Sequence, residues 1–140
     1  MSSREILSGV VTAFEFLTIF GRGRRVTPQQ LGNCMRYFPV VGLVCGLFLY
    51  LLHELILVLP SGVVDVILLA FMAVYSRGLH LDGYCDTVDA VSGGRDKDHI
   101  LEILRDSHTG ALGVVGVVLL LLAKYACLTG MPSASKPAVL

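Results

Sequence analysis

Residues 38–59 are apolar almost throughout, with only His53 and Glu54 breaking the pattern near the far end. As an α-helix, a run of that length reaches across the hydrocarbon of a bilayer, which takes about 20 residues. Pro60-Ser61-Gly62 reads as a tight turn. Residues 63–79 then run back as a second, shorter span with Asp65 near its start. A third apolar run covers 111–129 and is interrupted by Lys124, whose long stem can snorkel to an interface. Between the second and third runs lies a polar segment, 80–110.

Two weaker patterns flank this frame. Residues 5–20 are apolar but short for a span and carry Glu5 and Glu15, which predicts an interfacial or re-entrant helix. Thr27-Pro28 predicts the start of a short helix over 28–36, with Thr27 as N-cap and Pro28 in the first helical position. Within the polar segment, Gly93-Gly94 is a break and Asp96 a predicted N-cap for an amphipathic helix over 97–106. The predicted fold class is all-α: a polytopic integral membrane protein of about three transmembrane helices plus short interfacial helices.

Composition strengthens this picture. Hydrophobic residues make up 54% of the 140 residues and charged residues 16%, against about 25% charged in a soluble domain. Mean hydropathy is +0.74. The formal net charge is zero, so charge gives no reason to expect a nucleic-acid partner. The four cysteines form no C-x-x-C pair, and Cys45 and Cys127 sit in apolar runs as small hydrophobes. The basic residues are distributed unevenly. Arg22, Arg24, Arg25 and Arg36 precede the first span, Arg77, Arg95, Lys97 and Arg105 cluster around the polar segment, and the 60–62 turn has none. The positive-inside rule therefore places the 21–36 loop and the 80–110 segment together on the cytoplasmic side.

Candidate chemistry concentrates in that segment. Asp82, Asp86 and Asp89 follow one another at steps of four and three, which stacks three carboxylates on one helical face. Such a face calls for a positive charge, and a hard divalent cation such as Mg²⁺ takes oxygen ligands of this kind. The metal would bridge phosphate oxygens, with Arg77, Arg95, Lys97 and Arg105 neutralising further phosphate charge. Asp82 and His80 are the candidate catalytic residues. His80 fits a general base, a phosphate contact or an interfacial residue ending a span. Asp106 and Ser107 fit either a cap for the third span or a phosphate contact, alongside Arg77 and Arg105.

The stretch Gly78-Leu-His-Leu-Asp-Gly-Tyr-Cys-Asp-Thr-Val-Asp89 closely resembles the signature of the cobalamin synthase (adenosylcobinamide-GDP ribazoletransferase) family, G-[GF]-H-L-D-G-L-A-D-T-x-D-G. Leu101-Glu-Ile-Leu-Arg-Asp-Ser-His-Thr-Gly110 is similar to its L-E-I-M-[KR]-D-S-R-x-G, Phe38-Pro-Val-Val-Gly42 to its F-P-L-[VI]-G, and Phe16-Leu-Thr18 to its F-L-T-R. The departures are Ala90 for the usual Gly, Cys85 for Ala, His108 for Arg and Ile19 for Arg.

The resemblance implies a Mg²⁺-dependent transferase of the bacterial cytoplasmic (inner) membrane, with its active site facing the cytoplasm. It would join adenosylcobinamide-GDP to α-ribazole or its 5′-phosphate and release GMP, in the last steps of cobalamin biosynthesis. Expected partners are those small molecules and the lipid bilayer, with an oligomer possible. Family members run to roughly twice this length and carry a second acidic motif, G-D-x-x-G-A-x-x-E, that has no counterpart here. Residues 1–140 therefore read as a single membrane domain, the N-terminal half of a longer enzyme, with Ala138-Val139-Leu140 opening another apolar helix. The competing readings are a CDP-alcohol-type phosphotransferase, whose D-G-x-x-A-R step is missing at Asp82-Gly-Tyr-Cys-Asp-Thr, and a non-catalytic membrane fragment or scaffold.

Overall fold

The computed structural model describes residues 3–21, 27–93, 96–105, 108–132 and 135–136. Among these residues every regular element is helical: α1 (Ser3–Leu17), α2 (Pro28–Cys34), α3 (Phe38–Ile56), α4 (Ser61–Tyr75), α5 (Leu79–Gly93), α6 (Lys97–Ile103) and α7 (Ala111–Thr129), with a 3₁₀ turn at Met35–Tyr37 joining α2 to α3. Two helical stretches, Pro28–Ile56 and Ala111–Thr129, are long and apolar enough to cross a membrane, or up to three if α4 and α5 count as one broken span. The chain forms two compact units, one of residues 1–77 with 132–140 and the other of residues 78–131.

In the first unit, local signals set the element starts. Thr27 caps α2 by accepting from the Gln30 amide at 3.3 Å, while the Gln30 side chain accepts from the Thr27 amide at 3.0 Å. This reciprocal box satisfies two amides that a helix start leaves without partners. Pro39 sits in the first turn of α3, where its missing N–H costs nothing. Helices α1, α2, α3 and α4 enclose a core of Ala13, Cys34, Val41 and Tyr75, flanked by Phe14, Leu17, Leu31 and Phe71. Leu49, Val64 and Leu68 form a second cluster between α3 and α4.

Thr18 is fully buried and donates its hydroxyl to Phe14 O at 2.7 Å. The next amide, Ile19, donates to Tyr75 O at 2.9 Å and ties the end of α1 to the end of α4. The Phe-Leu-Thr and Phe-Pro-Val-Val motifs thus do packing and helix-terminus work in this unit. Outward-facing positions remain apolar: Leu43 and Leu55 are 75% and 78% exposed, as expected where hydrocarbon rather than water is the solvent.

Two polar side chains lie inside this unit. His53 turns inward and is buried, while Glu54, one residue further round α3, faces out. Asp65, fully buried in the first turns of α4, receives the ammonium of Lys136 at 2.7 Å. This pair ties residues 135–136 to α4.

The second apolar run ends earlier than its hydropathy predicts. Helix α4 stops at Tyr75, and Arg77 and Gly78 both adopt the left-handed conformation, with φ of 55° and 70°. Two consecutive left-handed residues break the i to i−4 ladder. The ladder helix α5 thus starts as a separate helix after this break. The third span, α7, matches its predicted limits of 111–129. The predicted helix over 28–36 ends at Cys34, and that over 97–106 at Ile103.

Candidate functional site

Helix α5 opens at Leu79 and carries all three ladder aspartates. At about 100° per residue, Asp82, Asp86 and Asp89 lie within about 60° of one another around the axis. The spacing argument is therefore realised, and Asp82 in the first turn also faces the positive end of the helix dipole. Their environments differ. Asp82 is exposed and Asp86 half-exposed. Neither makes a hydrogen bond or ion pair among the described residues, so both carboxylates keep their oxygens for a ligand.

Asp89 is committed elsewhere. Its Oδ2 accepts from the Gly110 amide at 2.8 Å and its Oδ1 from the Gly113 amide at 2.7 Å. Gly110 is the N-cap of α7 and supplies no capping side chain. A carboxylate from α5, 21 and 24 residues upstream, therefore satisfies two amides at the start of α7. This contact also sets a negative charge against the positive end of that helix. Among the described residues, no three His, Cys, Asp or Glu side chains converge as a metal cluster. The donor set that fits a hard cation is Asp82 with Asp86.

Glycine makes the Asp89 contact possible. A Cβ at Gly110 would lie 2.6 Å from Asp89 Cγ, one at Gly113 2.6 Å from Cys85 Sγ, and one at Gly116 3.0 Å from Val88 Cγ2. Residues 110, 113 and 116 thus lack a side chain along the line where α5 presents Cys85, Val88 and Asp89. The two backbones approach closely there, as small residues permit between apolar helices. Asp82 and Asp86 sit just beyond the rim of that packed stripe, which is why they stay accessible. Only the Gly-x-x-Gly-x-x-Gly spacing of 110–116 hinted at this arrangement in sequence.

The other expected site residues are placed as follows. His80 lies on α5 two residues before Asp82, and a two-residue step turns about 200° around the helix. It is exposed on the face away from the ladder, so it does not join Asp82 in one constellation. Arg105 is exposed just past the end of α6, with no ion pair to a ladder aspartate. Arg77 is exposed and occupies the left-handed position that ends α4, its amide donating to Val74 O at 2.9 Å. Asp106, Ser107 and Arg95, together with Arg22, Arg24 and Arg25, lie outside the described residues. Asp96 accepts from the His99 amide at 2.9 Å and caps α6 as its spacing predicts.

The strain at Arg77 has a measurable consequence. A side chain in the left-handed region costs about 1–2 kcal/mol, which glycine avoids. Arg77→Gly is therefore expected to unfold at a higher temperature than Arg77→Ala, by about 1 kcal/mol of stability. Both variants lack the guanidinium, so thermal unfolding of the two in the same detergent isolates the backbone contribution.

The chain matches the cobalamin-5-phosphate synthase family over residues 9–140. It is 43% identical over 123 residues to an adenosylcobinamide-GDP ribazoletransferase of Syntrophobacter fumaroxidans, covering 84% of this chain and 49% of that protein. It is 43% identical over 108 residues to the same-named protein of Geotalea daltonii, covering 74% of this chain and 42% of that one. A Desulfitobacterium hafniense protein of that name is 36% identical over 116 residues, covering 82% and 46%. The chain thus spans about half the length of the curated relatives it matches. No solved structure matches it significantly.

Proposed function

The chain belongs to the cobalamin-5-phosphate synthase family, and from that premise we propose that it carries the phosphate-handling half of an adenosylcobinamide-GDP ribazoletransferase. The substrates are adenosylcobinamide-GDP and α-ribazole or its 5′-phosphate. A ribazole hydroxyl oxygen forms a bond to the phosphorus attached to cobinamide, the bond from that phosphorus to the GMP oxygen breaks, and the hydroxyl proton is released. The observation that carries this reading is the pair of accessible carboxylates, Asp82 and Asp86, on a helix whose sequence resembles the family signature.

Mg²⁺ is the proposed cofactor. It is held characteristically through one or two carboxylates together with substrate phosphates, and not by an all-protein cage. Two oxygen donors one helical turn apart, without competing hydrogen bonds, fit that habit. When bound, the ion would offset charge on the diphosphate. Asp82 and Asp86 would hold it, and Lys97 and Arg105 are exposed cations of the same unit that would contact phosphate. The positive-inside asymmetry supports a location in the bacterial cytoplasmic membrane, with α5 on the cytoplasmic side.

The test uses membranes of a bacterial host that lacks its own ribazoletransferase and produces this chain. Adenosylcobinamide-GDP and α-ribazole are supplied with and without Mg²⁺. GMP and a cobalamin product are expected in equal amounts, and only with Mg²⁺. GMP without a corrinoid product would reduce the reaction to hydrolysis. No GMP, beside an active full-length relative as control, would refute catalysis by this chain alone.

A further inference from the structure

We propose that Asp89 is a positioning residue. It fastens α5 to the start of α7 and so fixes the direction in which Asp82 and Asp86 face, while contributing no oxygen to the metal. The inference rests on the metal–phosphate reading above only for what the other two aspartates do. The fastening itself stands on geometry.

Three observations carry it. Both Asp89 oxygens accept backbone amides of α7, at 2.7 and 2.8 Å. Gly110 and Gly113 leave no room for a side chain against that carboxylate. Cys85, one turn back on the same stripe, is buried with its Sγ 4.0 Å from Asp89 Oδ2.

The consequence is a division of labour along one ladder. A helix without a fixed azimuth would sweep Asp82 and Asp86 through a wide arc, and a catalytic constellation tolerates only about 10–20° of misalignment. The Asp89 anchor removes that freedom by joining one helix to the end group of another. Asp89 can do so because it lies on the α7 side of the ladder, whereas Asp82 and Asp86 lie beyond it. The glycine triplet and the third aspartate are therefore one device: Gly110 and Gly113 admit the carboxylate, and the carboxylate replaces the side-chain cap that Gly110 cannot provide.

Cys85 reports on the fastening without any assay of turnover. The purified chain in detergent is treated with N-ethylmaleimide, and labelling at Cys85 is followed by peptide mass mapping, which separates it from Cys34, Cys45 and Cys127. Asp89→Asn and Gly113→Ala are each expected to speed Cys85 labelling on the order of tenfold, the effect of losing one helix cap. Asp82→Asn and Asp86→Asn, which leave the carboxylate–amide contacts intact, are expected to keep Cys85 protected. Far-ultraviolet circular dichroism verifies that each variant retains its helices. Cys85 that stays protected in both Asp89→Asn and Gly113→Ala overturns the proposal.

A second arm titrates Mn²⁺ with GDP by electron paramagnetic resonance. Binding is expected to be lost in Asp82→Asn and Asp86→Asn. Asp89→Asn and Gly113→Ala are expected to behave alike, because both disturb the same joint. Loss in Asp89→Asn with retention in Gly113→Ala would make Asp89 a ligand and overturn the proposal. If the unmodified chain binds no Mn²⁺, the metal reading fails, while the Cys85 result still decides the role of Asp89.

Discussion

Asp82→Asn is expected to lower GMP release from adenosylcobinamide-GDP by roughly a thousandfold or more, equivalent to about 4 kcal/mol of transition-state stabilisation. Asn keeps the shape of the side chain and removes its charge, so a helix terminus that tolerates Asp82 in an exposed setting will tolerate the amide. What disappears is one of the two ladder carboxylates that make no hydrogen bond or ion pair among the described residues. With Asp86 alone, the ion would be held by a single protein oxygen and the substrate phosphates. Asp86→Asn is expected to show a loss of similar size for the same reason. The measurement is Mg²⁺-dependent GMP formation at saturating α-ribazole, with variant levels in the membrane matched by immunoblot. Turnover within about tenfold of the unmodified chain in both variants would remove the ladder from the chemistry.

Lys136→Met is expected to destabilise the first unit by about 3–5 kcal/mol, because it leaves the Asp65 carboxylate buried and without its counter-charge. The Asp65–Lys136 contact is 2.7 Å long, with side-chain exposures of 0% and 3%. In that setting an unpaired charge has neither water nor a partner. The second carboxylate oxygen of Asp65 already lacks a hydrogen bond, which leaves the group little reserve. The double substitution Asp65→Asn with Lys136→Met removes both charges and is expected to recover most of the loss, since a buried pair replaced as a pair is often neutral. Thermal unfolding in detergent of the two single variants and the double variant forms the cycle. Strict additivity, with the double variant as unstable as the sum of the singles, would contradict the pairing.

The membrane-spanning character, the limits of α7, the Thr27-Pro28 start of α2 and the Asp96 cap of α6 were all legible in the chain. Each depends on residues within about one helical turn or on the mean apolarity of a run, and such signals survive without knowledge of the fold. The break between α4 and α5 was not legible. Arginine is an unusual occupant of the left-handed region, so Ser76-Arg77-Gly78 carries only a single glycine as a warning. The ladder was half legible. Its spacing gives the shared face of Asp82, Asp86 and Asp89, and the same rule, applied to the step of two, already sets His80 apart once α5 is known to begin at Leu79.

By itself, the sequence determined which segments are apolar, where several helices begin and that three carboxylates share a face, because hydropathy and helical period are local properties. Only the tertiary structure decided how the charged groups are spent. Asp65 meets Lys136 across 71 residues, and Asp89 meets the amides of Gly110 and Gly113 across 21 and 24. No period encodes those distances. A buried charge takes whichever partner the packing brings to it, and that selection left Asp82 and Asp86 as the pair open to a ligand.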